Sequence, residues 1–152
     1  MTTFAVERFA DVLPEVEPLA MTHWRETGEA MHGRTDGIPL DVPVWQGMEV
    51  SGTLHVVTAR REGLLVGYAA FCVGPNAVMP GRTQASCIAL YLTENARCDP
   101  HEAMRLLRWA EESLRERGAD CVSYVSQVAR PCDAVYRRLG ARMTETVWFK
   151  EL

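Results

Sequence analysis

Lysine is nearly absent from this chain of 152 residues, since Lys150 is the only one and arginine supplies the remaining positive charge. The 16 basic residues are outnumbered by 20 acidic residues, and the two signs are mixed along the chain. A protein that binds a nucleic-acid backbone presents a patch of clustered basic side chains. The sequence therefore predicts no nucleic acid among its partners.

Long apolar runs and paired-cysteine motifs are also missing. No stretch approaches the roughly 18 apolar residues that a membrane span requires, and no basic leader with an apolar core opens the chain. Scattered histidines and cysteines, none spaced as C-x-x-C, predict no metal site. An odd number of thiols without such spacing is typical of a reduced, cytoplasmic protein. The cysteines are Cys72, Cys87, Cys98, Cys121 and Cys132.

The length suits a single domain spanning residues 1–152. Its first part predicts a strand at Phe4–Phe9 and a helix at Ala10–Gly28 that is interrupted by two prolines. From Met31 to Thr53 the sequence is rich in Gly and Pro and has no sustained period, which predicts a long connection containing at most one short helix. Connections of this length commonly form binding loops.

The middle of the chain predicts a β-hairpin followed by a central strand. Leu54–Arg60 and Leu64–Val73 are rich in β-branched and apolar residues, and the turn between them contains a glycine. After a loop at Gly74–Gln84, the segment Ala85–Leu92 is apolar on both faces, as expected of a strand that is covered on both sides.

The last part predicts a long helix, two strands and a short helix. Apolar residues recur at helical spacing after Pro100, and Gly118 ends the pattern. Strands follow at Cys121–Val125 and Thr144–Lys150, with a helix between them at Cys132–Leu139. We expect an α/β domain with a mixed, mainly antiparallel sheet flanked by helices. The apolar stripe of the long helix is Ala103, Leu106, Leu107, Ala110 and Leu114.

Several segments in this order resemble the GCN5-related N-acetyltransferase (GNAT) superfamily, and most of all the small acetyltransferase-like proteins of tailed bacteriophages. They read HWRE, LVGYAAFCVGPN, LYLTENAR, LLRWAEESLRERGAD, AVYRRLGA and VWFKEL. The resemblance implies splayed central strands, acetyl-CoA as cofactor and an amine acceptor on a protein or a small molecule.

By the same resemblance, the pantetheine arm lies along the end of the central strand and the pyrophosphate sits at the N-terminus of the next helix, where free amides attract anions. The asparagine that the family often has at the end of the preceding strand is absent, and Ser126 or Gln127 is the nearest polar substitute. The cofactor-binding positions implied are Leu90, Tyr91, Leu92, Arg97, Cys98, Asp99, Pro100, His101, Glu102, Ala103 and Ser126.

The loop from Arg97 to Ala103 departs from the family pattern Q/R-x-x-G-x-G/A, because only its Arg and its final Ala match. The loop instead has the pattern of a self-capped helix start. Asp99 is at the N-cap, Pro100 at the first helical position and Glu102 at the third. Carboxylates would then occupy the amides that a phosphate uses. The sequence predicts an anion site filled by the protein itself.

Catalysis in this family needs a base for the amine and an acid for the departing thiolate. Tyr136 matches the family's acid position, although a tyrosine packed at a helix–sheet boundary gives the same pattern. His23 and Glu26 in the first helix are base candidates, and His55 in the hairpin is a weaker one.

Two functions therefore remain open. The first is an acetyl-CoA-dependent N-acetyltransferase of the host-cell cytoplasm, in which Tyr136 acts as the acid. The second is a non-catalytic phage protein of the same fold, which serves as a virion component or binds a host protein. Fold by itself does not separate them, because function resides in the site.

Overall fold

The computed structural model describes residues 1–34 and 40–152. Within them a single five-stranded sheet runs in the order β1-β2-β3-β4-β5, and neighbouring strands are antiparallel except for the parallel pair β4 and β5. The predicted mixed, mainly antiparallel sheet is confirmed. The strands are β1 (Thr2–Val6), β2 (Leu54–Arg61), β3 (Leu64–Pro75), β4 (Thr83–Leu92) and β5 (Cys121–Ser123).

Helices cover both faces of this sheet. The long helix α5 packs on one face, where buried side chains of β2, β3 and β4 meet its apolar stripe. Helices α1 and α3 pack on the other face. The helices are α1 (Phe9–His23), a π-helical turn (Trp24–Gly28), α2 (Glu29–His32), α3 (Val42–Val50), α4 (Glu94–Arg97), α5 (Glu102–Glu116) and α6 (Asp133–Arg138).

The hairpin of β2 and β3 forms as predicted. Two residues join the strands, and both have positive φ, 53° at Glu62 and 81° at Gly63. A two-residue turn with this backbone matches the right-handed twist of the flanking strands. The short helix expected within the Met31–Thr53 connection is α3, whereas residues 35–39 of that connection lie outside the described residues.

The prediction for the N-terminal helix was wrong about where it breaks. Helix α1 continues through Pro14 and Pro18, and the irregularity comes later, at the π-helical turn Trp24–Gly28. Each proline removes one helical hydrogen bond, but four buried residues along α1 pack against the sheet and α3 and offset that loss. They are Phe9, Val12, Val16 and Ala20. The first strand also lies earlier than predicted, at Thr2–Val6.

The predicted closing strand at Thr144–Lys150 does not form. The chain beyond Gly140 has no regular secondary structure, and Trp148 is 93% exposed. The strand predicted at Cys121–Val125 forms over three residues only, as β5, which pairs with β4.

Among the described residues, no helix has both the length and the apolarity needed to cross a lipid bilayer.

Glu102 joins the start of α5 to the sheet, and its side chain is fully buried. It is paired with Arg105 on its own helix and with Arg61 at the end of β2, 3.5 Å away. We predict that Glu102→Gln lowers the free energy of unfolding by roughly 1–3 kcal/mol. The neutral amide of glutamine cannot replace a buried carboxylate that is paired with two guanidinium groups. Chemical denaturation measures the change.

The matched control for this prediction is Glu112→Gln, which removes an exposed carboxylate from the same helix. Equal stabilities for the two variants would show that the buried carboxylate does not anchor α5.

Candidate functional site

The two parallel strands β4 and β5 separate soon after they pair. Their register runs from Gln84 opposite Cys121 to Ser86 opposite Ser123, and no later pair joins them among the described residues. Just beyond, the pairing of β4 with β3 skips Ile88, which marks a β-bulge. Separation and bulge together leave the second half of β4 without a strand partner on the β5 side, so its backbone groups on that side are available to a ligand.

The predicted pantetheine positions are the last three residues of β4. Leu92 is buried against the α5 face, whereas Tyr91 is buried among the residues of the α1 face. Leu90 is half-buried beside the α5 face. The strand therefore anchors itself through alternate side chains, as a sheet requires, and only its backbone edge is left for the cofactor.

The loop after β4 is bonded to itself, but the predicted capping of the helix by Asp99 and Glu102 does not form. The Oδ1 atom of Asp99 accepts a hydrogen bond from the backbone N–H of His101 at 2.9 Å, and Oδ2 pairs with Arg105 at 2.7 Å. The helix begins later than predicted, because Glu102 is its first residue and His101 is the N-cap. Pro100 consequently lies in the turn before the helix. A first-turn amide that an anion needs is thus already satisfied.

The remaining predicted loop residues lie around that turn. Cys98 is exposed and its thiol contacts the backbone oxygen of Glu94. Ala103 is half-buried against the α5 face of the sheet, and the carboxylate of Glu102 is turned away from solvent toward Arg61. The prediction that Glu102 occupies free amides at the helix start is therefore wrong, since its carboxylate binds guanidinium groups.

Glu26 lies at the centre of an ion-pair cluster at the C-terminal end of β4. One carboxylate oxygen accepts from the Tyr91 hydroxyl at 3.2 Å, and the other pairs with Arg97 at 2.8 Å and Arg130 at 2.7 Å. The hydrogen bond from Arg97 is the main cause that lowers the pKa of the Glu26 carboxyl to about 2. Such a carboxylate is too weak a base to deprotonate an amine, so we do not assign Glu26 that role.

The same cluster engages the arginine that the resemblance assigns to the cofactor. The guanidinium of Arg97 pairs with Glu26 and lies over the Tyr91 ring, 5.6 Å from its centroid. Arg130 reaches Glu26 from the segment that follows β5. The Glu26 ion pairs therefore span the two sides of the gap between β4 and the chain after β5.

Tyr136 lies near the apex of that gap. Its ring is 8% exposed and stacks on Tyr124 at 4.8 Å, and its hydroxyl donates to the backbone oxygen of Val125 at 2.9 Å. Burial raises the pKa of the Tyr136 phenol above its usual value. Ser126 is engaged nearby, since its hydroxyl oxygen accepts from the Cys132 amide at 3.0 Å and its proton is donated to Asp133 at the start of α6.

His23 stands beside a cavity of about 180 Å³ on the α1 face of the sheet. Its Nδ1 atom lies 3.1 Å from the Tyr68 hydroxyl, and its ring stacks on Tyr91 at 4.9 Å. Burial lowers the pKa of the imidazole below its usual value, and the charge of Arg130 lowers that pKa further. His23 is therefore neutral at pH 7 and able to accept a proton.

The cavity reaches the bulge of β4. Ile88 and Ala89 line it together with His23 and with Gln127, which comes from the segment after β5. A molecule in the cavity would thus sit next to the part of β4 that is left without a partner on its β5 side. The aromatic walls were not identified from the sequence, because they belong to four separate elements: they are Phe9, Trp24, Trp45 and Tyr68.

His55 is on the opposite face of the sheet. Its Nε2 atom lies 2.9 Å from the Ser113 hydroxyl on α5, and burial lowers its pKa to about 4. It is buried there on the side away from the cavity. The structure thus brings His23 to the candidate site and leaves His55 in the packing of α5.

Solved structures of acetyltransferases share this architecture over the whole chain. The ribosomal-protein-alanine N-acetyltransferase of Brucella melitensis biovar Abortus 2308 is 15% identical, with a TM-score of 0.71 and coverage of 100% of this chain and 99% of the other. A predicted acetyltransferase of Clostridium acetobutylicum, solved with acetyl-CoA, is 14% identical, with a TM-score of 0.74 and coverage of 100% and 96%. The fold is that of the GNAT acetyltransferases.

An aminoglycoside acetyltransferase from an uncultured soil sample has the same GNAT fold, with 17% identity, a TM-score of 0.74 and coverage of 100% of this chain and 99% of the other. At these identities the likeness concerns the fold alone. No protein-family model matches the sequence, and no curated protein is detectably similar to it.

Acetyl-CoA is the cofactor that the GNAT resemblance implies. The described residues fit it at the edge of β4 and not at the loop after β4. The edge of β4 beyond Ser86 has no strand partner on the β5 side, as the pantetheine arm requires. At the loop, three arginines are each paired with carboxylates, and no net positive charge is left for a pyrophosphate. The arginines are Arg97, Arg105 and Arg130, and the carboxylates are Glu26, Asp99 and Glu102.

We predict that Glu26→Gln changes the pH dependence of stability. Because the folded pKa of Glu26 is about 2, below that of the unfolded chain, its stabilisation is present above the unfolded pKa. It is lost as the pH falls from about 4.3 toward 2. The variant should be less stable at pH 7, by on the order of 1 kcal/mol, and should lose less stability on acidification. Thermal unfolding from pH 7 to pH 2 measures both effects.

Glu17→Gln is the control for this measurement, since Glu17 is an exposed carboxylate of α1. If Glu26→Gln and Glu17→Gln followed the same pH curve, the ion pairs of Glu26 would not contribute to folding.

Proposed function

We propose that this protein is an N-acetyltransferase that transfers an acetyl group from acetyl-CoA to an amine. The observation that carries the proposal is the cavity at the β4 bulge, where a neutral, half-buried His23 lies within reach of an occupant beside the free strand edge. A base and a splayed strand in contact with one cavity are what direct acyl transfer needs.

His23 acts as the general base. Its low pKa keeps the imidazole unprotonated at neutral pH, and the nearby Tyr68 hydroxyl orients the ring. The imidazole takes the proton that the acceptor's neutral amine releases as its nitrogen bonds to the acyl carbon. Acetyl-CoA supplies the electrophile, a thioester carbon. The new C–N bond replaces the C–S bond, and the electron pair of the broken bond leaves with the sulfur.

Tyr136 acts as the general acid. Burial keeps its phenol protonated, so that it holds the proton that the departing sulfur needs. The hydroxyl is held by Val125, two residues beyond the end of β5, at the apex of the gap where the strands part. The hydroxyl gives up its hydrogen bond to Val125 and donates its proton to the departing sulfur. Solvent then returns a proton to the phenolate.

A non-catalytic role is the second candidate function, and the loop is the observation that favours it. Asp99 satisfies the first-turn amide of His101, and the Glu26 ion pairs engage Arg97. A protein that kept the GNAT fold without acetyl-CoA would tolerate these replacements. Such a protein would act by binding, as a phage virion component or against a host protein, whereas the enzyme would act in the host cytoplasm.

The proposal predicts that acetyl-CoA raises the melting temperature in a concentration-dependent manner, because a ligand of the folded state stabilises it by mass action. His23→Gln should retain this shift while kcat/KM falls by roughly 10²- to 10⁴-fold, since the base is lost and the cofactor site is not. Differential scanning fluorimetry and a free-thiol assay measure the two quantities.

Thr22→Ala, a neighbouring exposed position on α1, is the matched control and should behave as the unmodified protein. If millimolar acetyl-CoA left the melting temperature unchanged and calorimetry detected no heat, the enzyme would be ruled out and the binding role would stand.

For Tyr136→Phe we predict a lower turnover with an unchanged thermal shift from acetyl-CoA, because the variant lacks the proton but keeps the ring stacked on Tyr124. It should also lose about 1 kcal/mol of stability with the hydrogen bond to Val125. Unchanged turnover combined with that loss of stability would make Tyr136 a packing residue.

A further inference from the structure

The cavity beside His23 has the dimensions of a single ring. Its volume of about 180 Å³ compares with the ~150 Å³ of an engineered apolar cavity that binds benzene. Phe9 and Trp45 stack on each other at 5.5 Å along its wall, and Tyr68 and Trp24 complete an aromatic lining. Leu40, Val56 and Ala70 contribute aliphatic surface. One aromatic ring with a short chain fills this space.

The charge of the lining limits the occupant further. Among the described residues that line the cavity, none is Asp, Glu, Lys or Arg. The carboxylate of Glu26 is near but is already bonded to Tyr91, Arg97 and Arg130. An ammonium group buried among the described lining residues would lose its hydration and gain no counter-charge from them. The described lining therefore favours an amine in its neutral form.

Two features of the cavity suit a neutral amine. The lowered pKa of His23 keeps its imidazole uncharged, so it places no positive charge beside the amine. The indole Nε1 of Trp24 is buried and has no hydrogen-bond partner among the described residues, and Trp24 lines the same cavity. A hydrogen-bond acceptor on an occupant would satisfy that donor.

We infer that the acceptor is a primary monoamine with one aromatic ring on a short chain, bound in its neutral form. The inference rests on the proposed acetyl transfer and specifies its substrate class. Enzymes that act on polycationic acceptors need carboxylates around the several ammonium groups of the substrate. The inferred acceptor class therefore differs from theirs. The ring lies against Phe9 and Trp45, and the nitrogen lies at His23 beside the β4 bulge.

The test compares 2-phenylethylamine, tryptamine and spermidine as acceptors at saturating acetyl-CoA. We expect kcat/KM for each aromatic amine to exceed that for spermidine at least tenfold, and to rise with pH as the neutral fraction of the amine grows. If spermidine were acetylated faster than both aromatic amines, the inferred substrate class would be overturned, while the proposed acetyl transfer would stand.

Ala89→Phe fills the cavity from the strand and should lower kcat/KM for 2-phenylethylamine at least tenfold, with the thermal shift by acetyl-CoA retained. Ala89→Val, a smaller change, should give a graded loss if the larger one prevents folding. Val44→Phe is the control, because Val44 is 54% exposed on α3 and does not line the cavity. Full activity toward 2-phenylethylamine in both Ala89 variants would overturn the inference.

A second readout needs no acetyl transfer. The alcohol 2-phenylethanol carries the ring without the amine, and its binding should quench the fluorescence of the cavity's tryptophans in the unmodified protein and in Val44→Phe, but not in Ala89→Phe. Binding of this alcohol with no transfer to any amine would overturn the proposed enzyme and support the aromatic cavity. Failure of both binding and transfer would overturn both.

Discussion

The early separation of β5 from β4 is the constraint on which the rest of the structure depends. The two strands pair only between Gln84 and Ser86, and the bulge at Ile88 follows at once. Because a parallel pair makes evenly spaced hydrogen bonds only while the strands remain adjacent, the second half of β4 lacks a partner on that side. The gap leaves that backbone edge of β4 available to a ligand.

The ion pairs of Glu26 lie across the end of that gap. Its carboxylate holds Arg97 from the loop after β4 and Arg130 from the segment after β5, so one side chain from the π-helical turn crosses the C-terminal end of β4. Because Arg97 and Arg130 are paired with Glu26, their positive charges are not available to bind an anion. This is why the fold is that of the acetyltransferases while the pyrophosphate loop differs from the pattern of the family.

The two faces of the sheet are packed differently. On the α5 face, His55 bonds Ser113 and aliphatic side chains fill the core, which fixes the long helix. On the α1 face, rings from α1, α3 and the strands leave a cavity beside His23. The two histidines with lowered pKa values thus have different surroundings, because His23 lines the cavity and His55 is packed against α5.

The sequence by itself determined the hairpin, the central strand and the long helix, because these depend on local periodicity and turn residues. It did not determine the end of β5, the unpaired C-terminal segment or the partners of Glu26. Those depend on contacts between residues far apart in the chain, such as Glu26 with Arg130 and Phe9 with Trp45. Only the tertiary structure decided that a carboxylate suited to be a base is ion-paired, and that His23 faces the cavity.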